Sequence, residues 1–245
     1  AYCVIGEHVT IGSGTSIGHH TVIEGHTLIG KDNRILHFIS IGGPPQDIKY
    51  KGEETRVEIG NGNIIREFVT INRGSPSGPG VTRVGDGCFL MIGCHIAHDC
   101  TLGNGVIMTN LVGLSGHVLV EEGAVFGGMA GVHQFVRIGS LAMIAGAAKV
   151  ARDVPPYTLA AGDRAKLYGL NVVGLRRRNF SPEVIAELKR IYRTIFRSGL
   201  PRTAALEQAR KEAKSFPEVE HFLKFMDESK RGFCPSSSEE EEWED

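Results

Sequence analysis

The residues best suited to chemistry lie between Leu90 and Val136. His98 is followed directly by Asp99, and steps of 18 residues from His98 reach Gly116 and then Gln134. The same step carries Asp99 to His117, and Ala97 to Ser115 and His133. An imidazole titrates nearest neutrality of all side chains, so a histidine beside a carboxylate is a candidate general base. A glycine N–H with no side chain in the way is suited to a developing oxyanion. Base plus oxyanion donor is the equipment for acyl transfer to a hydroxyl. Ser115 falls within reach of His98 but carries no sign of a dedicated triad, so direct attack by the acceptor is the simpler scheme. A metal site is the alternative, because three histidines (His98, His117, His133) can hold Zn²⁺ with one open position.

The 18-residue step has a structural origin. Leu90, Ile96, Leu102, Met108, Leu114, Val120, Phe126 and Val132 recur at every sixth position, and a small or β-branched residue follows each by four. A repeat this short predicts a parallel β-helix, in which no coil can bury its apolar face alone. Three hexads close one triangular coil, so residues 18 apart sit above one another at a strand spacing of roughly 4.8 Å. The phase is unbroken from Val84 to Val150, which gathers the histidines, Asp99, Gly116 and Gln134 on one corner strip.

Upstream, Ile5, Ile11, Ile17, Ile23, Ile29, Ile35 and Ile41 form a β-branched scaffold, interrupted by inserted loops at 43–58 and 73–83. Loops thrust out of a solenoid commonly carry function, and the first is the stronger candidate. His8, His19, His20, His26 and His37 read as solvated corner residues. The solenoid is expected over 1–156, ending where Pro155 and Pro156 interrupt the ladder, followed by a connecting segment over 157–180. A helical domain is expected over 181–232. Its first helix is capped by Ser181 and stops at Gly199, a second covers about 203–214, and a third opens on a capping box of Ser215 with Glu218. The acidic tail, 233–245, reads as disordered.

A net charge of −1 argues against a nucleic-acid protein, but the charge is uneven. Residues 149–202 hold twelve Lys or Arg against four Asp or Glu, which fits an anionic partner. The five cysteines read as reduced: Cys88, Cys94 and Cys100 share one repeat position on successive faces, too far apart for a disulfide. No apolar run is long enough for a membrane span. The chain begins without a methionine and already in phase, so an upstream segment is expected to have been removed.

The runs CHIAHDCTLGNG, LSGHV, GGMAGVHQFVRIG, DVPPY and NVVGLRRRNFS, with GGPPQDIKYKGEETRVEIG upstream, resemble the UDP-N-acetylglucosamine 3-O-acyltransferase family, in order and over nearly the whole chain. The resemblance implies a left-handed parallel β-helix with a C-terminal helical domain, a homotrimer with sites between subunits, and the first step of lipid A synthesis. It implies transfer of a 3-hydroxyacyl group from acyl carrier protein, the thioester donor, to the 3-hydroxyl of UDP-N-acetylglucosamine, with no bound metal or cofactor. His98 then matches the general base, Asp99 its orienting acid and Gly116 the oxyanion donor. His95, His117, Gln134, Asp47, Lys49 and Asn171 match substrate-binding positions, and Arg177 with Arg178 match the basic pair that meets nucleotide and carrier. Gly146 matches the position that limits acyl length, and its missing side chain implies a longer chain. Arg164 stands where relatives often carry histidine near the acyl and pantetheine site, and Val173 replaces an acidic residue. The trimmed start and acidic tail point to an organelle-imported, mitochondrial copy, with a bacterial cytoplasm as the alternative. Two competing readings are a γ-class carbonic anhydrase-like zinc enzyme and a non-catalytic solenoid used for assembly.

Overall fold

A computed structural model of the chain describes residues 1–237. Three sheets of eight, seven and nine strands, parallel except for the last strand of the third, form the faces of a left-handed triangular prism. They are termed face I, containing His95–Ile96, face II, containing Thr101–Leu102, and face III, containing Ile107–Met108. In the regular part each strand pairs with the one a coil away, as in His95 with Gly113 and Gly113 with Gly131. The hexad residues point inward and make one continuous core, with Ile41, Ile71, Leu90, Ile96, Met108, Leu114 and Phe126 all fully buried. Cys88, Cys94 and Cys100 are free and lie in that core, where burial pushes the Cys100 thiol up to about 12.

The insertions are narrower than the sequence predicts. Strands Ser40–Gly43 and Arg56–Ile59 run into the ends of the first, and Val81–Val84 runs into the second, so the free loops are 44–55 and 73–80. Pairing of Val81 to Val84 with Arg56 to Ile59 continues the face II ladder across the second insertion. The two prolines do not end the solenoid. Val154 still bridges Ile138, and Thr158–Ala161 pairs in parallel with Met143–Ile144 before Lys166–Leu170 turns back against it. Pro155 and Pro156 occupy a corner, where the missing N–H interrupts no ladder bond.

The segment expected to be a mere connection therefore holds the closing hairpin and a short helix, α1 (Val172–Arg177), capped by the side chain of Asn171. Helices α2 (Pro182–Arg197), α3 (Arg202–Glu212) and α4 (Pro217–Glu228) follow. Ser181 caps α2 by accepting from the Val184 N–H. The capping box proposed for α4 is not formed: Pro217 takes the first helical position, Phe216 becomes the cap residue, and the Ser215 hydroxyl donates to Glu220 instead. A second apolar cluster, with Leu175, Leu188, Ile191, Phe222 and Phe225, joins the helices and meets Leu141 and Tyr157 of the solenoid. Residues 233–237, expected in a disordered tail, are ordered. Phe233 and Cys234 are buried, and Phe233 and Ser236 bridge Asp153 and Leu167. Their apolar contacts outweigh the polar composition that follows. The remainder of the acidic tail lies outside the described residues.

Candidate active site

His98 and Asp99 turn the corner between face I and face II. Asp99 has φ 61°, a left-handed conformation that aspartate tolerates at a tight corner. Its side chain is fully buried, and Oδ2 lies 2.8 Å from His98 Nδ1. The carboxylate also accepts from the Ser75 hydroxyl at 2.6 Å, the Ser75 N–H at 3.0 Å and the Gly80 N–H at 3.2 Å. These donors all come from the second loop, which the sequence ranks below the first. Thr82 Oγ1 accepts from the Asp99 N–H, so the backbone beneath the carboxylate is held as well.

One coil away, Gly116 lies directly under the imidazole. A Cβ there would sit 2.6 Å from His98 Cε1, so only glycine lets the ring occupy this place. Among the described residues no protein acceptor takes the Gly116 N–H. His117 stands edge-on to His98, with ring centroids 5.1 Å apart, and stacks on Phe135 at 4.4 Å. His95 Nδ1 lies 2.7 Å from the Thr70 hydroxyl. Burial lowers His95 below the ordinary imidazole range, helped by the charge of His98. Burial also lowers His117, and the opposing pull of Asp99 and Asp47 does not reverse it. Both are neutral near pH 7.

Along face I runs a groove of about 580 Å³, lined by His95, His98, Ser115, Gly116, Gln134 and Lys149 among others. The first loop reaches it through Gln46, and Asp47 accepts from Ser77 at 3.4 Å and from the Lys49 N–H at 2.9 Å. Lys49 itself is exposed. Among the described residues no hydrogen bond joins Ser115 to His98. The Ser115 N–H donates to Val132, and its carbonyl accepts from the Cys100 thiol. Gly113 and Gly131, which the sequence did not single out, flatten the groove floor, since an added Cβ at either meets nothing within 4 Å.

The three-histidine metal site is not formed. The residues that converge are His98, Asp99 and His117, whereas His133 Nδ1 lies 3.2 Å from the Arg231 guanidinium, a cation that would repel a metal. Asp99, already surrounded by donors, is a poor third ligand beside His98 and His117. The zinc-enzyme reading loses its ligand set. Not every predicted binding residue reaches the groove beside His98. Gly146 lies exposed in the corner between faces III and I. Arg164 is exposed at the tip of the closing hairpin, beside the Asp163 that pairs with Lys149. Arg178 lies over Gly105 and Gly123 on the corner between faces II and III, and Arg177 ends α1 beside it. The Asn171 amide is used internally, accepting from the Gly174 N–H and donating to the Leu141 carbonyl.

A left-handed hexapeptide prism with a histidine–aspartate pair at one corner and a helical cap defines a hexapeptide-repeat transferase. Residues 82–116 match the bacterial transferase hexapeptide family (six repeats), and residues 153–234 match the second domain of UDP-N-acetylglucosamine O-acyltransferase. The acyl-acyl-carrier-protein–UDP-N-acetylglucosamine O-acyltransferase of Thermodesulfovibrio yellowstonii is 54% identical over 233 residues, covering 95% of this chain and 90% of its own length. The Burkholderia lata enzyme of that name is 49% identical over 208 residues, covering 83% and 79%. The solved UDP-N-acetylglucosamine acyltransferase of Francisella novicida superposes with a TM-score of 0.93 at 39% identity, over 97% of this chain and 87% of that one. The Arabidopsis enzyme gives 0.85 at 35% identity, over 95% and 92%. The chain belongs to the UDP-N-acetylglucosamine O-acyltransferase family, as the sequence motifs imply. No described helix is long and apolar enough to cross a membrane.

Proposed function

We propose that the chain moves a 3-hydroxyacyl group from acyl carrier protein to the 3-hydroxyl of UDP-N-acetylglucosamine, the first step of lipid A synthesis, at the His98 corner. One observation carries the reading: His98 Nδ1 is tied to a fully buried Asp99, which leaves Nε2 as the base beside an uncommitted Gly116 amide. In this scheme Nε2 takes the hydroxyl proton as the sugar oxygen attacks the thioester carbonyl. The oxygen of the tetrahedral intermediate gains negative charge and accepts from the Gly116 N–H. Collapse breaks the carbon–sulfur bond, and the imidazolium returns its proton to the leaving thiolate. The products are an ester and the free carrier thiol, and no serine or cysteine acyl-enzyme is required.

His95, His117, Gln134 and Asp47, with Lys49 on the adjoining loop, contact the acceptor and orient it. Face I between His98 and the closing hairpin supplies the acyl trough over Gly113 and Gly131, with Lys149 at its end and Arg164 outside it on the hairpin, near the pantetheine arm. Gly146 lies outside the groove of a single chain and limits acyl length only where a neighbouring copy extends the trough to its corner. Arg177 and Arg178 occupy a different prism corner from His98, so a single chain does not close them around one substrate, whereas a neighbouring copy can. This supports a homotrimer with sites between subunits. There the basic pair meets the anionic nucleotide and carrier, and Asn171 serves it by capping α1. The mitochondrial compartment gains no support from these relatives, and the two curated ones above are bacterial.

The test is an assay with UDP-N-acetylglucosamine and a panel of 3-hydroxyacyl carrier proteins. Transfer with at least one chain length, abolished by His98→Ala with the oligomer preserved, is the expected result. No transfer with any donor, or full activity without His98, overturns the reading.

A further inference from the structure

The second loop, 73–80, has no periodic role in the solenoid, yet it makes the closest contacts to the aspartate behind the base. The Ser75 hydroxyl donates to Asp99 Oδ2 at 2.6 Å, and the Ser75 N–H lies within 3.1 Å of both carboxylate oxygens. Gly78 packs so closely that a Cβ would come within 2.6 Å of Asp99 Cγ and 2.7 Å of His117 Cε1. The loop thus seals the Asp99 carboxylate from water and supplies hydrogen bonds in its place. Buried carboxylates are costly unless donors surround them, so these contacts hold Asp99 as an acceptor aimed at His98. Ser77 extends the contact chain, with its hydroxyl 2.9 Å from that of Ser75 and donating to Asp47 of the first loop.

We propose that Ser75 is a positioning residue for acyl transfer: acting through Asp99, its hydroxyl sets the orientation and proton affinity of the His98 imidazole. The proposal rests on the reading of His98 as the base. Ser75 is fully buried, lies outside the groove lining and reaches the base only through Asp99. The other titratable groups around the His98–Asp99 pair are His95 on the same strand-and-corner unit, the adjacent Cys100, His117 on the next coil and, acting on His117, Asp47 on the first loop. The sign of the effect follows from charge distribution. A carboxylate that loses one donor concentrates more negative charge on its remaining partner, which favours the protonated imidazole. Ser75→Ala therefore moves the acid limb of the kcat/KM–pH profile to higher pH and also loosens the ring.

The experiment compares wild type, Ser75→Ala, Ser75→Thr and His98→Ala in the full-length oligomer. For Ser75→Ala, kcat is expected to fall on the order of 10-fold with KM for UDP-N-acetylglucosamine nearly unchanged, and the acid limb to shift upward. Ser75→Thr, which keeps the hydroxyl, restores both. Should Ser75→Ala not fold, Ser75→Cys keeps the size with a weaker donor and is expected to show a smaller shift of the same sign. An unchanged profile, a loss of activity equal at every pH, or no recovery in Ser75→Thr overturns the proposal. Turnover that survives His98→Ala instead overturns the underlying reading of the base, so the two failures are separable.

Discussion

Oδ2 of Asp99 lies 2.8 Å from Nδ1 of His98, and the aspartate side chain has no exposed surface. A buried acceptor at that distance holds the imidazole hydrogen on Nδ1 and leaves Nε2 free to accept a proton. Asp99→Asn keeps the shape but removes the charge that stabilises the imidazolium. A loss of kcat on the order of 10²-fold or more is expected, with little change in KM, measured by steady-state transfer assays.

Gly116→Ala tests the other half of the site. The new Cβ collides with the His98 ring, which has to swing away from its place. Displacement of a base by about 1 Å can cost on the order of 10²-fold in rate, so activity is expected to fall by that factor while the melting temperature changes little. Near-wild-type turnover would remove Gly116 from the mechanism.

Stability should depend on pH through His95 and His117. Burial holds both below their ordinary value of 6.5, so the unfolded chain binds more protons than the folded one as pH falls below that value. Their contribution is complete above 6.5 and declines below it. Urea midpoints are expected to drop between about pH 7.5 and pH 5.5, and to drop less in His95→Gln.

The helical domain is clipped to the solenoid by a second histidine–carboxylate contact. His221 Nε2 of α4 lies 3.0 Å from Glu121, and His221 Nδ1 lies 2.9 Å from the Tyr157 hydroxyl. Burial works to raise the Glu121 carboxyl, but His221 and Ser140 outweigh it and hold it below its ordinary value. His221→Ala leaves the Tyr157 hydroxyl unpaired and takes one partner from Glu121, which keeps Ser140, and is expected to cost about 1–3 kcal/mol, read by denaturant unfolding.

The glycine-floored trough makes a selectivity prediction. Gly131→Val fits the fold, because the space above Gly131 is open, but it fills the groove. A shift of kcat/KM toward shorter 3-hydroxyacyl donors, on the order of 10-fold, is expected in a donor panel.

The prism and its histidine–aspartate corner were legible because six-residue periodicity fixes geometry: once Ile96 and Leu114 are core positions, His98, Asp99, Gly116 and His117 have no freedom to lie elsewhere. His133 shows the limit of that rule. The lattice places its backbone correctly, but Arg231, roughly a hundred residues further along, draws its side chain away from the cluster. Ser75 and Gly78 were invisible because an aperiodic loop carries no register. Helix α1 was missed because six residues are too short to show an amphipathic stripe, and Phe233 because two apolar residues beside an acidic run do not outweigh it in composition.

Stacking in whole coils gives the molecule a built-in graduation. If the acyl tail runs along face I, inserting or deleting one full turn beyond the catalytic corner changes its reach by roughly 4.8 Å, about four methylene groups. Finer adjustment then falls to single side chains, so coarse and vernier settings of lipid length are inherited by two independent kinds of mutation.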